Sequence, residues 1–373
     1  LWEGNIMHRF FFATKDAFIN SGSDSITGED WKNKNTGQDE ILELKKVFFN
    51  RDFSYNTRLL IQFDADEIEN FISSSDVHVK DPSYKLNLRL WETNGTSGLS
   101  ETYTLAAYAV SESWDEGVGK ESDRPKTTDG CSWKNRQYPA GGAEVAWVTA
   151  GGTYIAGDEA TQTFSSESPD VNMDITTVAK KWFSGENNNY GLLLRLSGSR
   201  ETSTGSFEDL KFFSRQTNTI YSPKIELKWD DHLPATGSNT GSLTALDLSG
   251  TAENYIYPIH FREAYKENEK VKFRFGARKR YINKSFTTSV QTVSGSYFAE
   301  GSASYSIIDM ATNESVVPFS AYTTMSCDTK SPYFMQDLNG FEPNRAYKIL
   351  IKVNHNDDQK IIYDDDFEFI LRV

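Results

Sequence analysis

The chain has 373 residues, 38% hydrophobic, 13% aromatic and 25% charged, and a formal net charge of −14. A chain this acidic repels phosphate backbones, which argues against general nucleic-acid binding, and no run approaches the ~20 apolar residues of a membrane span. The length exceeds one ordinary core and predicts two domains, while the only cysteines, Cys131 and Cys327, make neither a disulfide framework nor a metal cluster and fit assembly in a reducing cytoplasm.

The opening LWEGNIMHRFFF lacks a basic stretch followed by a sustained apolar one, so it does not read as a secretory signal. Leu1–Arg9, with Trp2 and Met7, reads instead as an arm for docking on a neighbour. Phe10–Ile19 predicts a first strand, Ser21–Asp39 a long polar loop holding Trp31, and Ile41–Phe48 a second strand. In RLLIQFD, Leu59, Ile61 and Phe63 share one face, and Asp64 is placed to cap a short helix over Ala65–Ile72. Leu86, Leu88 and Leu90 alternate with Asn87 and Arg89, and Tyr103–Val110 gives another strand. Ser111–Gly152 is rich in Gly, Asp and Trp; a loop so long is expected to pack on the body or carry function.

Asp174 reads as the N-cap of a second helix, with Val178 and Trp182 on one face and Gly185 at the left-handed position after its end. Three strands follow: Leu192, Leu194 and Leu196; then Leu210, Phe212 and Phe213; then, after Pro223, Ile225, Leu227 and Trp229. A single amphipathic helix feeding antiparallel strands is how a sandwich closes its last sheet.

A boundary falls after Trp229. The segment DDHLPATGSNTGSLTALDLSG has linker composition, and all 8 tryptophans precede it, so the second half has a different core chemistry. There, Val271, Phe273 and Phe275 share a face, as do Tyr305 and Ile307; Tyr347, Ile349, Ile351 and Val353; and Phe367, Phe369, Leu371 and Val373. Phe341-x-Pro343-x-x-x-Tyr347 looks like the tyrosine corner of immunoglobulin- and fibronectin-type sandwiches, whose phenol bonds a nearby backbone group. The expected fold is all-β: a jelly-roll-like β-sandwich over 1–230 with one or two short helices, a linker over 231–252, and an Ig-like β-sandwich over 253–373.

The chemistry-bearing residues suggest no enzyme. There is no nucleophile elbow, P-loop, H-E-x-x-H or dinucleotide fingerprint, and the histidines at 8, 78, 232, 260 and 355 never fall at ligand spacing. Asp115, Glu116, Asp123 and Asp129 offer oxygens for a Ca²⁺ ion, but without an EF-hand register they read as a solvated acidic loop balanced by Lys120, Arg124 and Lys126. Asp364–Asp366 reads as a guard against stray strand pairing. No cofactor or metal is called for.

Among the loop aromatics Trp31, Trp114, Trp133, Tyr138 and Trp147, Trp31 is the best contact residue, for a glycan or a protein. Arg278, Lys279 and Arg280 form part of a basic stretch that suits an acidic neighbouring subunit or an ordinary solvated strand face. Sequons at Asn94, Asn283 and Asn313 carry little weight without a secretion signal.

Residues from about Asp16 to Trp229 resemble the DNRLRE family of secreted and surface β-sandwich modules. The resemblance rests on DAFI, GQDEILEL, RLLIQFD, LNLRLWE, SW, CSWKNR, DITTVAKKW, GLLLRL and SPKIELKW, in the family's order. The whole chain, including VPFSAYTTMSCD and IIYDDDFEFILRV, is similar to virion structural proteins of marine tailed bacteriophages. These resemblances imply a non-enzymatic particle component of the tail, neck or baseplate, located in the virion. Its expected partners are other virion subunits, in a homo-oligomer or symmetric array. The alternative is a carbohydrate-binding or adhesive module whose partner is a host-surface glycan. Neither nucleic acid nor membrane is expected as a partner.

Overall fold

The computed structural model describes residues 6–23, 30–48, 54–75, 77, 79, 84–93, 103–139, 141–164, 170–204, 207–249, 253–281, 286, 295–356 and 359–373. The fold is all-β, a jelly-roll-like sandwich with two short helices followed by an Ig-like sandwich. The chain divides into two compact units, Met7–Trp229 and one containing Asp230–Val373.

The first unit is built from β1 (Ile6–Asn20), β2 (Ile41–Phe48), β3 (Ser54–Phe63), β4 (Lys85–Leu90), β5 (Tyr103–Ala109), β6 (Asn135–Gln137), β7 (Val145–Ala146), β8 (Ala160–Phe164), β9 (Val171–Asp174), β10 (Leu192–Leu196), β11 (Phe207–Phe213) and β12 (Lys224–Asp230). Strand order is β8-β5-β10-β3-β1-β12-β4-β9, with β2 bridging β3 and β11. The long β1 joins the two layers. It pairs with β3 over Ala13–Asn20, bulges between Ala13 and Lys15, and meets β12 on its other edge, where the Ala13 N–H donates to Pro223 O (3.0 Å).

Alternation sorts the side chains. Leu59, Ile61, Leu86, Leu88, Leu192, Leu194, Phe212, Ile225 and Leu227 are sealed in the core between the layers. On the β3–β10 layer the opposite positions, Leu60 and Leu193, are equally buried, because the segment 111–152 folds over that outer face and adds Trp114, Cys131 and Trp147. A strand covered on both sides needs apolar residues at successive positions, which is why RLLIQFD and GLLLRL do not alternate cleanly.

The same packing corrects the reading of Ser21–Asp39 as a polar loop. Its described part contains a short 3₁₀ turn at Trp31–Asn33, and Lys34, Asn35 and Thr36 are buried. Asn35 uses its whole amide: Nδ2 donates to Glu116 O (2.7 Å) and Cys131 O (2.8 Å), while Oδ1 accepts from the N–H groups of Gly37 and Gly119. That pin leaves no room beside it. Gly117 has φ +83°, and a Cβ there would lie 2.1 Å from Asp129 O.

Helix α1 (Ala65–Ser74) is capped by Asp64, whose Oδ1 accepts from Asp66 N (3.0 Å) and Glu67 N (3.2 Å). Helix α2 (Thr176–Phe183) begins one residue later than its sequence suggests. Asp174 is still paired with Asn87 in the sheet and Ile175 is the N-cap residue, although Asp174 Oδ1 accepts from Thr176 N (3.0 Å). Val178 and Trp182 are buried on one face, and Gly185 follows the helix at φ 72°.

The second unit comprises β13 (Thr244–Ala245), β14 (Asn254–Ile259), β15 (Ala264–Lys266), β16 (Lys270–Lys279), β17 (Ser296–Tyr297), β18 (Ala303–Asp309), β19 (Glu314–Val317), β20 (Ser326–Cys327), β21 (Pro332–Asp337), β22 (Ala346–Asn354), β23 (Lys360–Tyr363) and β24 (Glu368–Arg372). One sheet runs β13-β17-β16-β21-β20 with β14 on β16; the other runs β15-β24-β22-β18-β19 with β23 on β22. Phe rings and Tyr rings fill the space between them. Tyr305 stacks on Phe334 with centroids 3.6 Å apart, and Phe273 lies 5.3 Å from Phe369. Tyr347 donates its phenol proton to Glu342 O (2.9 Å), the bond of a tyrosine corner.

Two expectations fail here. The described residues of 231–252 are not a free linker: Thr244–Ala245 pair with β17, Leu246 and Leu248 enter the core, and Ala235 N donates to Glu300 (2.7 Å). Gly, Ser and Thr there serve turns between docked apolar residues. Val373 also does not face inward; it lies past the end of β24 and is 76% exposed.

Candidate functional site

Two faces of the first unit carry polar chemistry, and they differ in access. The first lies under the folded-over segment. Asp16 Oδ2 accepts from Arg215 N (2.6 Å), the Asp16 N–H donates to Glu116 Oε1 (3.0 Å), and Arg215 Nη1 holds both Glu116 oxygens at 3.0 Å. Burial raises the Asp16 pKa to about 7, with the Glu116 charge adding to the rise and the Arg215 N–H opposing it; its Oδ1 has no partner. Nearby, burial likewise raises Asp39 to about 6, against a hydrogen bond from Glu121 N (2.7 Å). Arg58 and Arg195 both pair with Glu201 (2.8 and 3.1 Å) beneath Trp133. These groups hold loop backbone and one another, so the work they do is structural.

The second face is the outward side of β1, β12, β4 and β9. Inward positions of these strands fill the core, so the alternate positions must face out. Lys224, Glu226 and Lys228 on β12 stand opposite Arg89, Asn87 and Lys85 on β4, and Arg89 and Asn87 stand opposite Asn172 and Asp174 on β9. From the outward side of β1 come His8, Phe10 and Phe12.

Aromatic rings collect at one end of this grid. Lys224 Nζ lies 5.0 Å from the Phe10 ring, 5.2 Å from Phe12 and 4.6 Å from Trp91, so one ammonium sits among three rings. Trp91 is 6.1 Å from Tyr221, which stacks on Phe213 at 5.6 Å. Phe12 is 54% exposed and Tyr221 43% exposed, while Phe10, Trp91 and Phe213 are half-buried. Desolvation among the rings, together with the Arg89 charge, lowers the Lys224 pKa.

The rest of the grid is polar. Glu226 is shared by Arg89 (3.4 Å), Lys228 (3.4 Å) and His8 (3.7 Å). Lys85 pairs with Asp174 at 2.6 Å. Asn87 Nδ2 donates to Asn172 Oδ1 (2.8 Å), leaving Asn87 Oδ1 without a partner. The face thus presents flat apolar rings beside donors and acceptors on a rigid sheet.

The residues singled out from sequence are dispersed. Trp2 lies outside the described residues; Met7 is exposed at the start of β1, part of a strand rather than of a free arm. Trp31 stands beyond the other end of β1, half-buried and edge-on to Tyr55 at 5.5 Å, beside a pocket of about 10 Å³ lined also by Lys34 and Thr36, room for one water. Arg278 covers the Tyr255 ring at 4.9 Å, Lys279 pairs with Asp247 (2.7 Å), and Arg280 lies beside Tyr281. That basic trio belongs to the second unit.

Trp114 and Trp147 are core residues, and the loop carboxylates are engaged separately: Glu116 by Arg215, Asp123 by Lys120 N and Thr127. Among the described residues no group of acidic, His or Cys side chains is arranged to hold a metal ion, and no helix is long and apolar enough to cross a membrane.

A search for aromatics in loops misses the ring cluster, because its signal lies in the strands. In FFF at 10–12 one ring must point in and two out, and Trp91 follows Asn87 and Arg89 on the polar side of β4. No known protein-family model matches the chain, and no curated protein matches it.

Proposed function

We propose that this chain is a non-enzymatic structural component of a tailed-phage virion, a subunit associated with the tail, neck or baseplate that works through protein–protein contacts. The observation that carries the binding role is the outward ring cluster around Lys224, set on a sheet braced by a fully packed core. Exposed aromatic side chains on a rigid frame supply contact area at low entropic cost. The virion setting rests on the resemblance, read in the sequence over the whole chain including VPFSAYTTMSCD and IIYDDDFEFILRV, to virion structural proteins. Repetition in a symmetric particle would multiply modest contacts through avidity.

Quantitative mass spectrometry of density-purified particles tests this. Copies in a simple ratio to tail-tube or portal subunits are expected; absence from particles removes the structural reading. A second reading, a carbohydrate-binding module, is favoured by the same rings standing beside the Asn87–Asn172 amides, since pyranose C–H faces stack on rings while hydroxyls pair with amides. A glycan array without binding would remove that one.

A further inference from the structure

Resting on the carbohydrate-binding reading, we propose that the outward face of β1, β12, β4 and β9 binds an acidic polysaccharide, its sugar rings stacked on Phe12, Trp91 and Tyr221 and its acid groups met by Lys224 and Arg89. Three features of the face choose this ligand.

The first is charge. Lys224, Arg89 and Lys228 set against Glu226 and Asp230 leave a net +1 on the outward positions of β12 and β4, before His8 is counted, and Lys85 cancels Asp174. In a chain of net charge −14 that local excess selects for an anion. Lys224 Nζ donates to Ile220 O (2.9 Å) and faces rings, and Glu226 is the carboxylate whose charge reaches it. An acid group arriving there would gain a charge partner in partly desolvated surroundings, where the attraction is strongest.

The second is the mixing of chemistry. Here a cation stands among the rings at one end of the face, and the Asn87–Asn172 amides lie on the polar grid beside them. A sugar offers apolar faces and hydroxyl donors side by side. The third is extent. Four strands at about 4.8 Å per gap make a track of roughly 14 Å, enough for a short run of sugars.

Single-stranded nucleic acid also stacks on rings and carries charge, so it enters the test as a competitor.

Affinity electrophoresis of the full chain in gels containing polygalacturonate, a sulfated galactan or a neutral glucan tests the assignment, with an oligo-dT competitor. Retardation is expected in one or both acidic gels and not in the neutral one, and the acidic gel that retards identifies carboxylate or sulfate as the group recognised. Phe12→Ala and Trp91→Ala should each weaken it at least tenfold, and Lys224→Gln should weaken it and flatten its salt dependence. Tyr322→Ala, at a residue 57% exposed in the second unit, should bind as the parent does. Phe12 is exposed enough that its variant folds even if the Trp91 variant does not, and thermal melts of each variant report this. Retardation by the neutral glucan alone would overturn the acidic assignment while leaving the carbohydrate reading standing. No retardation by any polysaccharide would remove both, and displacement by oligo-dT would reassign the face to nucleic acid.

Discussion

Asp16 is a residue at which the fold accepts an electrostatic cost. Its carboxyl is buried with one oxygen unpartnered, and its pKa rises from 3.8 to about 7. Between those values the unfolded chain has lost the proton and the folded chain still holds it. The Asp16 contribution therefore falls as pH climbs from about 4 to about 7 and is flat above, by about 1.4 kcal/mol for each tenfold drop in proton concentration across that window. Asp16→Asn keeps an acceptor for the Arg215 N–H and removes the titration. Thermal melts should show its advantage over the parent growing through that window and then constant; an advantage independent of pH would refute the burial argument. Glu201 is the converse case. Glu201→Gln leaves the Arg58 and Arg195 guanidiniums, both largely buried, without their counter-charge, and urea unfolding should show a loss of about 3 kcal/mol or more.

At the scale of elements, the tyrosine corner is readable in advance because its spacing is local: Phe341, Pro343 and Tyr347 sit within one turn-and-strand, and the phenol reaches Glu342 O. Tyr347→Phe removes that bond and keeps the ring against Phe369 at 5.6 Å, so a loss of about 1 kcal/mol in chemical denaturation is expected. The strands and the Asp64 cap are legible for the same reason, since alternation and capping are written within a few residues. What is not legible is anything decided by a distant partner. Asn35 looks like one more polar loop residue until Glu116 and Cys131 close around it. Asp174 looks like a helix cap until its sheet pairing with Asn87 delays the helix by a residue. The ring cluster lies between the two cases: alternation shows that Phe12 and Trp91 face outward, but only the fold brings residues 12, 91 and 224 around one ammonium.

For the whole molecule, the informative error is the linker. Low-complexity composition says nothing about docking when a few apolar residues are spaced to reach a core, as Leu246 and Leu248 do. A fragment of residues 230–373 should melt cooperatively, because it carries its own core. A fragment of residues 253–373, without those leucines and without Thr244–Ala245 beside β17, should melt at a lower temperature or not cooperatively. Equal melting of the two would show that the segment is a tether after all.

The place of β1 in the sheet also bears on the order in which the chain is made. β1 is the first strand of the first unit to be synthesised, yet it lies between β3 and β12, and β12 reaches from Lys224 to Asp230. While the intervening two hundred or so residues are being made, one edge of β1 has no native partner, and Phe11 waits for its covering. Closing a contact over such a separation is slow. The sandwich is thus completed from its oldest and newest pieces together, and a nascent chain stopped just short of Lys224 carries an open edge where the finished protein has a seam.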